Sequence, residues 1–416
     1  MTLTPSLSDL IRTFARIGIL SFGGPAAQIA LMHRELVDRH KWVTEQEYLS
    51  ALSFCMLLPG PEAMQLATWI GWRQHGTIGG LIAGLLFVLP GAAIVLALSM
   101  IYAAYGQVPV VAALFTGVQA AVLAIVIEAL LRVARRALRG RDHWIIAGLA
   151  FVALFAFAVP FPVVILAAGL WGYATTPAGT SPAAVPVAPR TLQTIAIWAA
   201  VWLLPLALLG VVEGGLLFEI GLFFSKLAVV TFGGAYAVLA WMAQAVVEDK
   251  GWLTATQMMD GLGLAETTPG PLILVTEFVG YLAGHRQGGL WMGVAAAIVT
   301  LWMTFAPCFL WIFAGAPYVA RLTAMPRLSG ALAAITAAVV GVIANLSLWF
   351  ALHVLFAVVT RIDAGPLSMS VPDPGTLRLF TAALAAVAAW ALLIRHWPMM
   401  LVLALSAVVS ALAVLA

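Results

Sequence analysis

Residues 58–62 read Leu-Pro-Gly-Pro-Glu and residues 268–272 read Thr-Pro-Gly-Pro-Leu, each in the middle of an otherwise apolar stretch. A Pro-Gly-Pro sequence removes two backbone donors, and its rings clash with the preceding helical turn, so a helix that reaches it must break. In hydrocarbon the freed polar groups need partners, so such a break is tolerated only where protein or a hydrated cavity surrounds it. The two motifs therefore predict one broken membrane helix around each of them.

The two motifs belong to halves of the chain that repeat each other. An offset of 210 residues aligns Phe22–Pro61 with Phe232–Pro271 without a gap. The aligned identities include Phe22-Gly23-Gly24 with Phe232-Gly233-Gly234, Met32 with Met242, Trp42 with Trp252, Thr44 with Thr254, and Pro59-Gly60-Pro61 with Pro269-Gly270-Pro271. Such repetition is typical of secondary transporters, whose sites lie where broken helices of the two repeats meet.

Composition places the chain in a lipid bilayer. Of its 416 residues, 63% are hydrophobic and 9% are charged, and the mean hydropathy is +1.06. Apolar stretches long enough to cross about 30 Å of hydrocarbon recur from Phe14 to Ala416. These values exclude a soluble protein with an attached anchor, and the polar start, Met1–Asp9, does not resemble a removable signal peptide.

Charge and cysteine content exclude further classes of protein. The net charge of +3 and the pI near 9.0 come from short loops, so the sequence indicates no nucleic-acid partner. Cys55 and Cys308 both lie in apolar runs, and no Cys/His group has the spacing of metal ligands. We expect both cysteines to be buried, and we expect neither a metal nor a cofactor.

The apolar segments predict an all-α polytopic membrane protein of thirteen spans. Six form a first repeat within residues 1–176, and six form a second repeat within 216–416. Residues 177–215 hold an extra helix and most of the linker before it, Thr175–Pro189. The predicted spans are 10–33, 45–75, 77–104, 109–134, 144–159, 161–176, 193–212, 216–245, 254–284, 288–318, 328–358, 376–394 and 397–416.

Loop charges indicate that the second half is inverted relative to the first. The loop after the fourth helix is basic only in the first half, and the loop after the third helix is basic only in the second. After the fourth helix, the first half has Arg132, Arg135, Arg136, Arg139 and Arg141, and the second half has Arg361 and Asp363. After the third helix, the first half has Gly106 and Gln107, and the second half has Arg321 and Arg327. Because basic loops stay in the cytoplasm, the N-terminus is expected there and the C-terminus in the periplasm. Hairpins at the Pro-Gly-Pro motifs would make the halves parallel and lose this agreement.

Both breaks have the chemistry to bind an anion. The half-helix after Pro59-Gly60-Pro61 or Pro269-Gly270-Pro271 presents N-terminal amides and the positive end of its dipole, which suit an anion. The paired glycines of Phe22-Gly23-Gly24 and Phe232-Gly233-Gly234 allow a close backbone approach to a ligand. A plain proline kink and close helix packing are the structural alternatives.

Two cations occupy equivalent places in the first helix of each half. Arg16 and Lys226 are 210 residues apart, and each lies six residues before its Phe-Gly-Gly motif. A charge within a membrane helix costs a few kcal/mol and by default suggests function. Inverted symmetry would place the two cations toward opposite ends of one pathway for a dianion. The alternative is that these side chains extend to the lipid headgroups.

The acidic and hydroxyl residues near the breaks make the halves chemically unequal. Glu62 begins the half-helix after the first break. The positive end of the helix dipole favours a carboxylate there, but that carboxylate would repel an incoming anion. The second half has Leu272 there, and Thr267 and Thr268 precede its break, so we expect the stronger anion site in that half. Glu62 and Glu266 are candidates for proton coupling, with helix capping or structural hydrogen bonds as the alternative.

The motifs together resemble the long, two-domain type of the chromate ion transporter family. The resemblance rests on Phe22-Gly-Gly-Pro-Ala, Trp42, Glu45-Gln-Glu-Tyr48, Leu58-Pro-Gly-Pro-Glu62, Gln65-Leu-Ala, Phe232-Gly-Gly-Ala-Tyr236 and Thr267-Thr-Pro-Gly-Pro-Leu272. It implies a multi-pass protein of the bacterial inner membrane that expels chromate and confers resistance to it, with Gln65 among the substrate-binding residues. It also implies halves that arose by duplication in opposite orientations.

Several alternatives stay open at the level of sequence. Sulfate shares the charge and shape of chromate, so no motif separates the two ions, and a homodimer is as compatible with the sequence as a monomer. The expected contacts are a small oxyanion and membrane lipids. An intramembrane enzyme acting on an anionic lipid would need a catalytic constellation, and the sequence shows no phosphate loop, nucleophile elbow or zinc-protease helix.

Overall fold

The computed structural model describes residues 5–178, 190–212, 214–232, 235–323 and 325–415. The fold is that of an all-α membrane protein with one small β-hairpin. Within these described ranges, five helical segments are long and apolar enough to cross a membrane: Glu62–Tyr105, Pro109–Ala137, Thr191–Val212, Leu272–Tyr318 and Pro326–Leu355. The predicted linker falls largely outside the described residues, as do Gly233, Gly234 and Ala416.

The first half contains seven helices, and the extra helix follows them. They are α1 (Leu7–Leu20), α2 (Gly24–His33), α3 (Glu45–Leu57), α4 (Glu62–Tyr105), α5 (Pro109–Ala137), α6 (Arg141–Phe157), α7 (Phe161–Thr175) and the extra helix α8 (Thr191–Val212). A π-helical turn, Arg34–Arg39, extends α2. Helices α5 to α8 lie within about three residues of their predicted spans.

The second half repeats this order with one addition. Its helices are α9 (Leu216–Val230), α10 (Ala235–Gln244), α11 (Ala255–Thr267), α12 (Val275–Gly315), the short α13 (Val319–Thr323), α14 (Pro326–Leu355), α15 (Leu379–Ala389) and α16 (Met399–Leu415). A π-helical turn, Ala245–Asp249, follows α10 at the place equivalent to the turn after α2. Strands β1 (Val359–Ala364) and β2 (Leu367–Pro372) form an antiparallel hairpin where a plain loop was predicted.

Both repeats start their second helical pair with the same local signal. Thr44 caps α3 by accepting from the Glu47 amide, while the Glu47 carboxylate accepts from the Thr44 amide. Thr254 and Gln257 exchange the equivalent two hydrogen bonds at the start of α11. This reciprocal arrangement satisfies backbone donors that would otherwise be free at a helix start. The helix therefore begins at equivalent positions in both halves.

The predicted span 10–33 is not one crossing helix. Helix α1 ends at Leu20, and α2 begins at Gly24 after Gly23, whose φ of +85° reverses the chain. A helix continuous to Arg39 would place Arg39 about 35 Å from Arg16, whereas both residues line one cavity. The Phe-Gly-Gly motif is thus the tip of a helical hairpin, and the expectation of one continuous span is wrong here.

The predicted span 45–75 also folds back on itself. Glu47, near the start of α3, forms an ion pair of 3.3 Å with Arg73, and the Gln74 amide donates to the Trp42 carbonyl over 2.8 Å. A helix that continued through the break would place Glu47 and Arg73 about 39 Å apart. The expected break at Pro59-Gly60-Pro61 is confirmed, but the chain reverses there instead of continuing across.

Helices α4 and α12 each contain a second reversal. Non-helical backbone at His75 and Gly76 divides α4, and Gly288 and Gly289 divide α12. On either side of the first reversal, the Gly71 and Gly79 backbones are so close that a Cβ on either would collide with the other. Glycine is required because the two arms pack backbone against backbone. The first arm of α4 therefore returns from the Pro-Gly-Pro tip, and its second arm, from residue 77, is the long apolar helix.

The chain divides into two compact units, each drawing on both sequence halves. Unit 1 comprises Met1–Met100, Pro177–Ala235 and Ala265–Ser329, and unit 2 comprises Ile101–Thr176, Tyr236–Leu264 and Gly330–Ala416. Within unit 2, α5 packs against α15 and α16, and Gly117 lets its helix approach the Ser406 backbone. Within unit 1, α12 packs against α8 and α9. The residues of both Pro-Gly-Pro motifs lie in unit 1.

Candidate functional site

The hairpin tips of the two halves bind each other through matching hydrogen bonds. The Gly60 amide donates to the Thr231 carbonyl over 2.8 Å, and the Gly270 amide donates to the Ser21 carbonyl over 2.9 Å. Gly60 and Gly270 are 210 residues apart, and so are Ser21 and Thr231, so the two bonds are equivalent under the repeat. Each Pro-Gly-Pro motif therefore meets the residue before the Phe-Gly-Gly motif of the other half.

The residues that accept these bonds end their own helices in the same way. The Ser21 hydroxyl donates to the Ile17 carbonyl and the Thr231 hydroxyl to the Leu227 carbonyl, each over 2.6 Å. A hydroxyl that bonds back to the preceding turn leaves its own carbonyl free for another donor. Sequence reasoning missed Ser21 and Thr231, although two hydroxyl residues separated by the repeat offset were the available signal.

The glycines at the tips cannot carry a side chain without strain. Gly60 has a φ of +120°, and a Cβ there would lie 2.7 Å from the Gln65 amide nitrogen and 2.8 Å from Cys308 Sγ. Gly270 has a φ of +97°, and its Cβ would lie 2.8 Å from Leu274 Cδ1. The sequence predicted that the half-helix after each motif presents its N-terminal amides to an anion. The amides of the two glycines themselves are bonded to Thr231 and Ser21, so they are not among the donors for an anion.

Two buried glutamines complete the junction. Gln28 is 1% exposed, and its amide nitrogen lies 2.6 Å from the Gly270 carbonyl and 3.2 Å from the Ser21 carbonyl. Gln65 is fully buried, and its amide nitrogen donates to the Pro59 carbonyl over 2.7 Å. Among the described residues, neither side-chain oxygen has a hydrogen-bond partner. Gln65 was expected at the site, whereas Gln28 was not.

The second arm of α4 passes directly against the tip of the second half. A Cβ on Gly91 would collide with the Pro269 carbonyl oxygen and would lie 2.7 Å from Leu274 Cδ1. Cys55 and Cys308 are both buried free thiols, as predicted, and Cys308 Sγ lies at the Gly60 tip. The junction is therefore formed by the hairpin tips and by the long helices beside them.

The remaining predicted residues of the first half surround this junction. Phe22 is 40% exposed and Gly23 is exposed, while Gly24, with a φ of +77°, begins α2. Pro61 immediately precedes α4, and Glu62 is its first residue and is half-buried. The returning helices α2 and α4 thus both start at the tips, and their N-terminal amides lie beside the reciprocal hydrogen bonds.

In the second half, the structure locates all but two of the predicted residues. Phe232 donates its amide to the Val230 carbonyl, as Phe22 does to Leu20. The Thr268 hydroxyl donates to the Ala265 carbonyl over 3.2 Å, Thr267 is half-buried, and Glu266 is 4% exposed. Pro271 precedes a 3₁₀ turn, Leu272–Leu274, that leads into α12. Gly233 and Gly234 lie outside the described residues.

The two predicted cations are both exposed, and one of them lines a cavity. Arg16 shares a cavity of about 580 Å³ with Arg12 of α1 and with Arg39 and Glu35 of the turn after α2. Glu35 is already paired with Arg39 over 3.1 Å, whereas Arg12 and Arg16 have no hydrogen-bond or ion-pair partner within the described parts of the chain. Lys226 is an exposed residue of α9. Neither Arg12 nor Arg39 was predicted: Arg12 lies one turn before Arg16 on α1, whereas Arg39 comes beside them only through the fold of the first hairpin.

Unit 2 contains a buried carboxylate that sequence reasoning also missed. Asp260 of α11 is 3% exposed and accepts hydrogen bonds from the Tyr102 hydroxyl over 2.6 Å and from the Gln119 amide over 2.7 Å. These three residues come from sequence segments far apart, so no local pattern links them. Two donors satisfy the carboxylate, which is consistent with a structural role in joining α4, α5 and α11.

Comparison with known proteins now decides the family. A family model described as chromate transporter matches residues 8–173 and 218–411, which covers both halves. The chain belongs to the chromate transporter family. No solved structure matches it.

Curated relatives of this chromate transporter family member match most of its length. A chromate transport protein of Pseudomonas aeruginosa is 36% identical over 81% of this chain and 79% of its own. A probable chromate transport protein of Synechococcus elongatus is 31% identical over 92% of this chain and 96% of its own. A chromate transport protein of Cupriavidus metallidurans is 31% identical over 82% of this chain and 81% of its own. The sequence-based assignment to the family is confirmed.

Proposed function

We propose that this protein is a secondary transporter of the bacterial inner membrane that exports chromate from the cytoplasm and thereby confers chromate resistance. The observation that carries the proposal is the reciprocal pair of hydrogen bonds between Gly60 and Thr231 and between Gly270 and Ser21. Secondary transporters bind substrate where broken helices of two repeats meet. Membership of the chromate transporter family supplies the substrate class.

The hairpins support an inverted arrangement of two repeats, residues 1–176 and 216–416, joined by 177–215. Helix α3 has 13 residues and spans about 20 Å, which is less than the roughly 30 Å hydrocarbon core. Hairpins entering from opposite faces would therefore meet near the middle of the membrane. The contact between the tips would then be reached by substrate from one side of the membrane and then from the other.

A hairpin at the Pro-Gly-Pro motif alone would remove one crossing from each half and make the halves parallel. With a second hairpin at the Phe-Gly-Gly motif, each half loses two predicted crossings and the inverted topology is kept. If the second half contains the same two hairpins as the first, the thirteen predicted spans are reduced by four, to nine. Loops after the hairpins then keep their sides: Arg139 and Arg321 lie in the cytoplasm and Asp363 in the periplasm. The positive-inside distribution that first favoured inversion is retained.

The charges define a route for a dianion. The cavity at the base of the first hairpin, on the proposed cytoplasmic side, is lined by three arginines and two acidic residues and would attract anions through this excess of positive charge. The residues are Arg12, Arg16, Arg39, Asp9 and Glu35. At the tips, the amides that start α2, α4 and α12 would replace water around the ion. Lys226, at the place equivalent to Arg16 in the inverted half, would receive the ion on its way out.

Glu62 and Glu266 remain our candidates for proton coupling. Glu62 is the first residue of the helix that returns from one tip, and Glu266 is a buried residue of α11 close in sequence to the other tip. A carboxylate that takes up a proton when the ion passes would reduce the repulsion between the two. Thr267 and Thr268 follow Glu266 in the chain, and the Thr268 hydroxyl would have to exchange its bond to the Ala265 carbonyl to donate to the same ion.

The membrane potential favours export. An elementary charge that crosses 100 mV gains or loses about 2.3 kcal/mol, so a dianion that leaves a negative interior gains about 4.6 kcal/mol. Uptake of the same ion would require several co-transported cations. Export can therefore run without a further energy source.

Inverted membrane vesicles test the substrate and the direction together. Vesicles that contain the protein should accumulate radiolabelled chromate faster than vesicles without it, and an interior-positive potential should increase the rate. Sulfate in excess tests selectivity: if labelled sulfate accumulates and chromate does not, the substrate assignment is wrong. Accumulation of neither ion would contradict the proposed function.

A further inference from the structure

The two arms of α12 enclose a group of buried oxygen atoms close to the hairpin tips, since Thr304 lies one turn before Cys308. Glu277 lies on the first arm and is 1% exposed, while Thr300 and Thr304 lie on the second arm and are 0% and 1% exposed. The arms reverse direction at Gly288 and Gly289. All three residues belong to one helical segment of unit 1, so its fold alone brings them together.

The packing of glycines fixes which residues face each other. A Cβ on Gly280 would collide with the Thr300 hydroxyl, and a Cβ on Gly284 would lie 2.7 Å from the Ala296 Cβ. In this antiparallel register, Glu277, one turn before Gly280, lies level with Thr304, one turn after Thr300. The carboxylate and the two hydroxyls therefore share the inner face of the two arms. Because Gly280 has no side chain, the Thr300 hydroxyl can pack directly against the first arm.

These oxygen atoms lack the partners that other buried hydroxyls have. Within the described ranges, one Glu277 carboxylate oxygen and the hydroxyls of Thr300 and Thr304 form no hydrogen bond. Buried hydroxyls of other helices donate to a backbone carbonyl of their own helix, as those of Thr68, Ser99 and Ser347 do. A buried polar group without a partner costs free energy, and a buried carboxylate costs more. Three of them on one face indicate a ligand that they share.

We propose that Glu277, Thr300 and Thr304 bind a sodium ion. A carboxylate and hydroxyls are the hard oxygen ligands that such a cation prefers, and one carboxylate balances a single positive charge. A divalent ion would leave a net buried charge, and a proton would need the carboxylate but not two hydroxyls. Sodium binding does not depend on the substrate. A role for that ion in coupling rests on the proposed function.

The first half lacks the equivalent site and provides a control. The arms of α4 pack in the same manner, with Thr68 facing Gly84 across them. The Thr68 hydroxyl, however, donates to the Met64 carbonyl over 3.0 Å. No acidic residue lies between Met64 and Gln74 on this arm. The cation site is therefore a property of the second half alone.

Thermal unfolding of the purified full-length protein in detergent tests the site without a transport assay. Sodium chloride, compared with choline chloride at equal ionic strength, should raise the Tm by at least about 2 °C and should saturate. Glu277→Gln and Thr304→Val should abolish this shift, and Thr68→Val should retain it. Thr304→Ser, which keeps the hydroxyl, should recover most of it.

Two outcomes would overturn the sodium site: a wild-type protein with no sodium-specific shift, or a full shift in both Glu277→Gln and Thr304→Val. If Glu277→Gln fails to fold, the comparison of Thr304→Val with Thr304→Ser decides the matter. Chromate accumulation in inverted vesicles distinguishes this proposal from the proposed function. Transport without a sodium shift would reject only the site, and a sodium shift without transport would reject only the proposed function.

Discussion

Gly270 donates its backbone amide to the carbonyl of Ser21, which lies in the other half of the chain. The same bond, moved by the repeat offset, joins Gly60 to Thr231. Glycine is needed at both donors because each has a positive φ and no room for a Cβ. The Pro-Gly-Pro motifs therefore hold the two halves together at the place where we propose that substrate passes.

Gly270→Ala should lower chromate transport severely while expression persists. The added Cβ would strain a backbone with a φ of +97° and would press on Leu274. Gly289→Ala is the matched control, because Gly289 has a φ of +69° but open space around its missing side chain. Initial transport rates, corrected for protein amount, measure the difference. Equal transport rates for the two variants would mean that the Pro-Gly-Pro motif only reverses the chain and has no further role in transport.

Gln28→Leu should destabilise the protein by about 1–3 kcal/mol, because two carbonyls in a buried place lose their shared donor. Thermal unfolding in detergent checks this, with Gln46→Leu at an exposed position of α3 as the control. An unchanged Tm for Gln28→Leu would mean that the contact between the tips does not depend on this side chain.

How far the sequence predicts this structure depends on the range of the interaction. The breaks at Pro59-Gly60-Pro61 and Pro269-Gly270-Pro271 are local consequences of proline chemistry, and the sequence predicts them correctly. The direction that the chain takes after a break is not local. It depends on pairs such as Glu47 with Arg73, which only the fold brings together. For this reason the broken helices were predicted, but the hairpins were not.

The candidate site shows the same division. Arg16 stands out in sequence because a charge in a membrane helix is costly, and its counterpart Lys226 stands out through the repeat. Arg12, one turn before Arg16 in the same predicted span, carries the same signal and was overlooked. Arg39 carries none, since it shares a cavity with Arg16 only through the fold of the first hairpin. Gln28 lies within a helix of ordinary composition, and its role follows from the distant partner Gly270.

Reporter fusions should place Arg139 in the cytoplasm and Asp363 and Ala416 in the periplasm. The expectation follows from the inverted repeats and is the same with hairpins as with crossing helices, because crossings are lost in pairs. Activity of a periplasmic reporter at Asp363 and of a cytoplasmic reporter at Arg139 measures it. A cytoplasmic Ala416 would contradict the orientation of the last two helices.

Arg16→Gln should reduce the rate of chromate transport partially. The variant removes one of three guanidinium groups from the cavity at the base of the first hairpin, while Arg12 and Arg39 remain. The loss should shrink as salt rises, because long-range attraction between exposed charges is screened. Rates in inverted vesicles at low and high ionic strength measure both effects. A loss that is independent of salt would indicate direct contact with the ion instead of attraction to the cavity.

The most direct test of the proposed route for the dianion is the initial rate of chromate accumulation in inverted vesicles that contain Lys226→Met. Methionine keeps the approximate length of the side chain and removes its charge, whereas Lys226→Arg keeps the charge but replaces a compact ammonium with a planar fork. Our account predicts near-complete loss for Lys226→Met and partial loss for Lys226→Arg, at equal protein amounts. A wild-type rate from Lys226→Met would contradict it, because the ion would then pass without the cation of the second half.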